Sequence, residues 1–385
     1  MGEDLLALVA DRQHRTLIKL DAVGLDKDIA AANRYAASAG KLSGTLYNLY
    51  CRLWKPLEED ITNTKVIIIP DGIIYALNFE ILTPKKISRF EEFASASLLA
   101  KHAISYQYSL FLLKQQHQNT KAAENFVAFA PGFSDRIKQM YRRHSDTASQ
   151  IDNFYLNLLP QPFTVSLAVN TAGLFGGDLF MDEESTVGSF KKYANNHRII
   201  HIGTHAVADN LHPEFSRLIF SKDVSNLDFD NSLYLFDIYN CNLTSDLTVL
   251  TACESGKVGY KDGEGMISLA HAFNYAGSKS ILMGLWKIDE QSSARLIGLF
   301  YDNLAQGMEK DEAFRRAKLA YLEESEGRLL TPQYWAGLVL MGDTSPVPVA
   351  TTAKRLYLFI GGIFLAGLVV TATVFYFRSS KRNAT

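Results

Sequence analysis

The chain has 385 residues, with 39 Lys+Arg against 41 Asp+Glu and a formal net charge of -2. So even a balance gives no bulk electrostatic reason to hold a polyanion, which disfavours nucleic-acid binding by bulk charge, and no nucleic-acid partner is expected. With 47% hydrophobic and 11% aromatic residues and only 10 prolines, the chain can bury a large core and is neither mainly disordered nor of low complexity.

Residues 1–60 are expected to form an N-terminal helical segment. Glu3, Asp4 and Asp11 stand where an export signal would carry a basic start and an unbroken apolar run, so no export of the chain is expected. From 28 to 60 the pattern is helical, with Leu42, Leu46, Leu49, Leu53 and Leu57 at spacings of four and three. From 61 to 343, apolar runs at 66–69, 103–106, 126–130, 199–203, 247–250 and 280–285 read as strands. Amphipathic helical stretches at 186–195, 264–276, 289–304 and 310–323 lie between and after several of them. Runs such as RIIHI and VIII are apolar at consecutive positions, as strands covered on both faces are. The expected fold is therefore α/β, a largely parallel sheet flanked by helices on both faces, with a site at the carboxyl edge of its strands. No repeat recurs at a period of 30 to 45 residues, so no solenoid is expected.

Residues 344–355 begin TSPVPVATT and read as a spacer. The stretch 356–377 carries no charge, and at about 1.5 Å per residue it spans roughly 33 Å, the thickness of a hydrocarbon core. Tyr357, Tyr376 and Phe377 lie at its ends, flanked by Lys354, Arg355, Arg378, Lys381 and Arg382. The expectation is a single transmembrane helix followed by a short basic tail at 378–385, anchoring a cytoplasmic domain with the lipid bilayer as a partner.

The chemistry concentrates at two strand ends. The run 199–203 leads into Thr204 and His205, and the run 247–250 into Thr251, Ala252 and Cys253. If the two strands are parallel neighbours, both side chains emerge at one rim, as a Cys/His dyad requires. The thiolate attacks a carbonyl carbon, and the imidazole takes the thiol proton and returns it to the leaving amine. Gly256, Gly259, Gly263 and Gly265 follow the cysteine and suit a substrate-binding loop. Taken singly, Cys253 also reads as a small buried hydrophobe and His205 as a core histidine. His197, His201 and His205 do not make a metal ladder, because on a strand successive members are about 13 Å apart at roughly 3.3 Å per residue. The three cysteines, Cys51, Cys241 and Cys253, form no CxxC and are too scattered for a disulfide framework or a thiolate zinc site, which suits a reducing compartment. Neither metal nor cofactor is expected, and GxSxG, HExxH and GxxxxGK[ST] are all missing from the sequence.

The segment RIIHIGTHA resembles the histidine motif of CHAT-domain proteases, which are grouped with caspases and separases in clan CD. The stretch LTVLTACESGKVGYKDGEGMISLAHAFNYAGSKSILMGLWKIDEQSSA resembles their cysteine motif. VIIIPDGIIYALNFEIL at 66–82 and QYWAGLVLMGD at 333–343 add to the likeness, which spans roughly residues 40 to 343. The resemblance implies a caspase-like fold and a Cys/His peptidase over 61–343, with Cys253 as nucleophile and His205 as general base and acid. It further implies an oxyanion hole built from the backbone N–H groups of Ala206 and Cys253. The residue after the family's histidine is usually Gly, whereas this chain has Ala206, a residue that does not readily adopt φ > 0. By resemblance to separases, Asp289 and Trp286 would line the pocket that accepts a basic residue before the cut bond; Asp289 reads equally as the N-cap of the helix after it. Glu254 beside the nucleophile is assigned a structural role, since a carboxylate there opposes thiolate formation.

Two functions stay open at this level. The first is a membrane-anchored cysteine endopeptidase acting on a protein substrate near the bilayer, with an activating protein partner acting in trans or docking on residues 1–60. The second is a catalytically silent, membrane-tethered scaffold of the same fold that binds proteins.

Overall fold

A computed structural model of the protein describes residues 5–33, 38–114, 122–145, 151–207, 209, 212–227, 229–251, 259–261, 265–267 and 269–349. The strands in chain order are β1 (Leu5–Ala10), β2 (Arg15–Leu20), β3 (Lys65–Ile68), β4 (Ala103–Tyr106), β5 (Glu124–Ala130), β6 (Asp178–Met181), β7 (His197–Ile202), β8 (His205–Val207), β9 (Arg217–Ile219), β10 (Ser232–Tyr234), β11 (Leu247–Leu250), β12 (Gly259–Lys261), β13 (Gly265–Ile267), β14 (Ser280–Gly284) and β15 (Leu338–Gly342). The longer helices are α1 (Leu25–Ala32), α2 (Ala39–Leu49), α3 (Asp135–His144), α4 (Pro162–Phe175), α5 (Val187–Tyr193), α6 (Leu269–Tyr275), α7 (Glu290–Ala305) and α8 (Lys310–Glu324).

Eight of the strands form one sheet in the order β3-β4-β15-β14-β11-β7-β5-β6. Every neighbouring pair is parallel except β14 and β15, which run antiparallel from Ser280↔Gly342 to Gly284↔Leu338. The sheet is therefore mixed and mostly parallel: β14, β11, β7, β5 and β6 point one way and β3, β4 and β15 the other. All six strand runs expected from consecutive apolar residues are present. In β5 the alternation of faces is visible in two aromatic residues three apart. Phe126 meets Phe175 of α4 and Tyr301 of α7, while Phe129 meets Phe190 of α5 and Phe220. Helices thus cover both faces, which is why strands such as Leu247–Leu250 are buried at every position.

The N-terminal 60 residues differ from the expected helical segment. Leu5–Ala10 and Arg15–Leu20 form an antiparallel hairpin in which burial, rather than residue type, alternates from one position to the next. The leucine ladder that follows does form α2 and the turns after it, with Leu42, Leu46, Leu49 and Leu53 buried beside Trp54 in the main core. Arg52 fastens α1 to this ladder through Asp28 (2.6 Å) and the carbonyl of Val23 (2.7 Å). Within the helical run expected at 264–276, residues 265–267 are strand β13 and only Leu269–Tyr275 is helix.

The C-terminal expectations are also revised. Val347, in the stretch read as a spacer, is buried in the main core, and the N–H of Lys310 donates to the carbonyl of Thr344 (2.9 Å). The membrane-anchored localisation is withdrawn: among the described residues no helix is long and apolar enough to cross a membrane, and the stretch 356–377 lies outside them.

Candidate active site

Strands β7 and β11 are adjacent and parallel, with Leu250 opposite Ile202. The N–H of Thr251 continues the ladder by donating to the carbonyl of Ile202 (3.1 Å). Both strands therefore leave the sheet at the same edge, β7 leading into His205 and β11 into Thr251, the last residue described before position 253. Cys253, Glu254 and Gly256, which follow directly, lie outside the described residues, as does Gly263. Of the other cysteines, Cys241 precedes the amino end of β11, at the opposite edge of the sheet, where its Sγ contacts the carbonyl of Asp237 and burial raises its pKa. Cys51 lies in the turn after α2.

His205 does not prolong β7. After Gly203 and Thr204 it opens β8, which pairs antiparallel with β9 in a separate small sheet, His205 opposite Ile219. The buried Thr204 hydroxyl ties the turn to the carbonyl of Ile219. Gly203 is required by packing: a Cβ there would lie 2.1 Å from Thr164 Cγ2, so only glycine lets the first turn of α4 sit against the end of β7. That approach brings Gln161 to the Thr204 carbonyl (3.5 Å), while the Gln161 N–H donates to the carbonyl of Gly132 (2.8 Å).

The imidazole is oriented by a backbone group. His205 Nε2 lies 2.8 Å from the carbonyl oxygen of Leu159. A carbonyl can only accept, so Nε2 carries the proton and Nδ1 is the basic nitrogen. The ring packs on Phe133, 5.0 Å between centroids. Burial holds the His205 pKa below its ordinary value; the Leu159 carbonyl opposes this, and the charges of Lys287 and Lys138 add to it. At neutral pH the ring is an uncharged base. Leu159 carried no side-chain signal in the sequence, although Pro160 after it disfavours helix at that position, and Pro has no N–H to offer. Phe133 and Asp182, at the carboxyl ends of β5 and β6, have φ of 50° and 49°, a strained backbone for non-glycine residues at the same rim.

The remaining expected residues are distributed as follows. Ala206 lies within β8 and is not among the positive-φ residues, so the usual glycine is not needed there for its backbone freedom. Trp286 and Asp289 follow β14, which is parallel to β11, and so stand at the same edge. Trp286 packs over Gly337 and its indole N–H donates to the carbonyl of Gln333 (3.4 Å). Asp289 is exposed and caps α7, its Oδ1 accepting from the Ser292 N–H (2.9 Å). The neighbouring Glu290 Oε1 accepts from the Thr164 N–H (2.9 Å), joining the starts of α4 and α7.

The other two histidines of the series belong to the core. His201 is fully buried, with Nδ1 2.9 Å from the Tyr301 hydroxyl, and burial pushes its pKa down to about 3. His197 lies 3.3 Å from Asp178. Among the described residues no group of three or more His, Cys, Asp or Glu could hold a metal ion.

Comparison with known proteins adds a family. The model described as "CHAT domain" matches residues 43–343, well over half of the chain. Tetratricopeptide repeat protein 28 of Mus musculus is 26% identical over 107 residues, and its Homo sapiens counterpart 28% identical over 107. Each alignment covers 28% of this chain but only 4% of the relative's length. Among solved structures, separase in the Saccharomyces cerevisiae separase–securin complex aligns with 72% of this chain and 15% of its own, at 12% identity and a TM-score of 0.42. RgpB of Porphyromonas gingivalis, solved as a complex of pro- and mature domains, aligns with 84% of this chain and 76% of its own, at 10% identity and a TM-score of 0.42.

Proposed function

Because the chain belongs to the CHAT domain family, we propose that it is a cysteine endopeptidase in which His205 serves Cys253. The observation that carries this reading is the orientation of His205. Its Nε2–H is held by the Leu159 carbonyl, its Nδ1 is basic, and it leaves the sheet at the edge to which β11 runs.

In the proposed reaction Nδ1 takes the thiol proton of Cys253 and the thiolate attacks the carbonyl carbon of a peptide bond. The backbone N–H groups of Ala206 and Cys253 would receive the developing oxyanion. As the tetrahedral intermediate collapses, the C–N bond breaks and Nδ1–H protonates the leaving amine. Water, deprotonated by the same nitrogen, then hydrolyses the thioester and restores the thiol. The role given to the histidine needs a neutral imidazole at rest, and the depressed pKa of His205 supplies one. Cleavage after Arg or Lys is part of the proposal: Asp289 commits one carboxylate oxygen to its helix cap, and the side chain is exposed at the rim where a basic side chain would enter.

The test is covalent labelling of the full chain with peptidyl acyloxymethyl ketones bearing Arg, Lys, Leu or Asp next to the warhead. Labelling should be lost in Cys253→Ala, fall at least 100-fold in His205→Ala, and persist in Cys51→Ala and Cys241→Ala. Loss in Cys241→Ala to the same degree would overturn the assignment. Failure of every probe to label, with and without a cell lysate as a source of activator, would favour a protein-binding scaffold instead.

A further inference from the structure

The β1–β2 hairpin is apolar on both of its faces. Leu5, Ala7, Ile18 and Leu20 pack inward on the main core, whereas Leu6, Leu8 and Leu17 point outward and are 56%, 56% and 65% exposed. Neither strand pairs with a third strand among the described residues. Strand β1 reads LLALVA, with neither charge nor proline, so it lacks the usual features that keep an exposed edge from pairing. Strand β2 differs. It carries Arg15 and Lys19 on the outer face, opposite Ala10 and Leu6, and its Thr16 hydroxyl bonds inward to Asp60 (2.9 Å).

The backbone pattern identifies which groups the β1 edge presents. Asp11 N–H donates to the carbonyl of His14 (3.0 Å), so by alternation Val9, Ala7 and Leu5 exchange hydrogen bonds with β2. The N–H and C=O groups of Leu6, Leu8 and Ala10 are then directed away from β2, toward the free edge.

We propose that this edge is an interface between two copies of the chain. In it β1 pairs antiparallel with the β1 of a second copy about a two-fold axis at Leu8, giving a four-stranded sheet. The register follows from the outward-directed groups: Leu8 faces Leu8 of the second copy and Leu6 faces its Ala10. Since Leu8 already opposes Leu17 within the hairpin, the outer face gains an unbroken row of four leucines, two from each copy. Cross-strand neighbours of this kind are what stabilise a sheet.

Charge selects this edge for a contact between copies. Pairing through β2 in the same manner would set Arg15 directly against Lys19 of the second copy, twice. Pairing through β1 brings no charges together and leaves those cations on the outermost strands, about 14 Å apart at about 4.8 Å per strand. A two-fold contact uses both edges at once and closes, so it yields a dimer and not a filament.

The test is disulfide cross-linking of the full chain under mild oxidation, read on a non-reducing gel. The paired residues at Leu8 would have Cα atoms about 5.5 Å apart, within disulfide range. Leu8→Cys should give at least five-fold more cross-linked dimer than Leu17→Cys, with the unsubstituted chain as background. Adding Ala10→Pro, which removes an edge N–H but no bond to β2, should return Leu8→Cys to background. Where the proline unsettles the hairpin, Leu6→Glu with Ala10→Glu, which pairs with Lys19 and Arg15 inside the hairpin but sets like charges opposite each other between the copies, should have the same effect. Equal yields from Leu8→Cys and Leu17→Cys, no yield from either, or a yield that survives both edge variants would each overturn the proposal.

Discussion

His205 differs from its neighbours in the series because of what surrounds each ring. His201 has a tyrosine hydroxyl and aromatic rings about it and no solvent, so burial alone suppresses its ionisation far below physiological pH. His205 is half-buried, keeps a backbone acceptor on Nε2, and feels two lysines. Burial is the main cause of its lowered pKa, and the nearby positive charges add to it by disfavouring a second cation. Lys287 is exposed, so its removal should leave the fold intact. Lys287→Met is expected to move the acid limb of the probe-labelling rate to higher pH. The sign follows from linkage: deleting a cation stabilises the imidazolium, so the imidazole becomes available as a base only at higher pH. An acid limb that stays in place or moves downward, measured over pH 4 to 8, would show that Lys287 does not act on His205. The orienting carbonyl of Leu159 could not be found from side-chain types, because its contribution is a backbone oxygen placed by a tertiary contact.

At the scale of elements, the site is assembled by strand ends and helix starts. Parallel β7, β11 and β14 deliver Thr204, Thr251 and Trp286 to one edge. The starts of α4 and α7 meet beside them through Glu290 and the Thr164 N–H. Asp289 belongs to this junction as a helix cap, and that role and the proposed pocket role separate by substitution. Asparagine caps as well as aspartate, whereas alanine does not. Asp289→Ala is expected to cost about 1 kcal/mol of stability in a denaturant titration. Asp289→Asn should cost only a few tenths of that, yet abolish any preference of the labelling probes for Arg or Lys. If Asp289→Asn keeps that preference, the pocket charge comes from another residue and Asp289 is a cap alone. Helix α7 was legible from its amphipathic period, but the pairing of its cap with the neighbouring helix start was not, since Glu290 and Thr164 are 126 residues apart.

At the scale of the molecule, a buried polar network ties α8 and residues 78–80 to the start of β15. Lys318 of α8 is fully buried, bonds to Glu80 and donates to the carbonyl of Leu338 in β15 (2.8 Å). Asn78 adds donors to Glu80 (3.0 Å) and to the carbonyl of Ala336 (2.7 Å). Burial lowers the Lys318 pKa and Glu80 raises it. Deleting one member leaves the other charge buried and alone, so Lys318→Met is expected to destabilise the domain by about 3–5 kcal/mol, and Lys318→Met with Glu80→Leu by clearly less. Equal losses in calorimetry for the single and double variants would mean that the ion pair is not the coupling. What the sequence by itself determined was local: the six apolar strand runs, the leucine ladder of α2, and the placing of a histidine and a cysteine just past two strands. Each depends on side-chain type and period, which are properties of a short stretch of chain. The tertiary structure alone decided that β15 enters antiparallel, that residues 5–20 form a hairpin, that His205 belongs to a second small sheet, and that Leu159 holds its ring. Those outcomes depend on which distant backbone groups satisfy one another's hydrogen bonds, and no local pattern of residues encodes that choice.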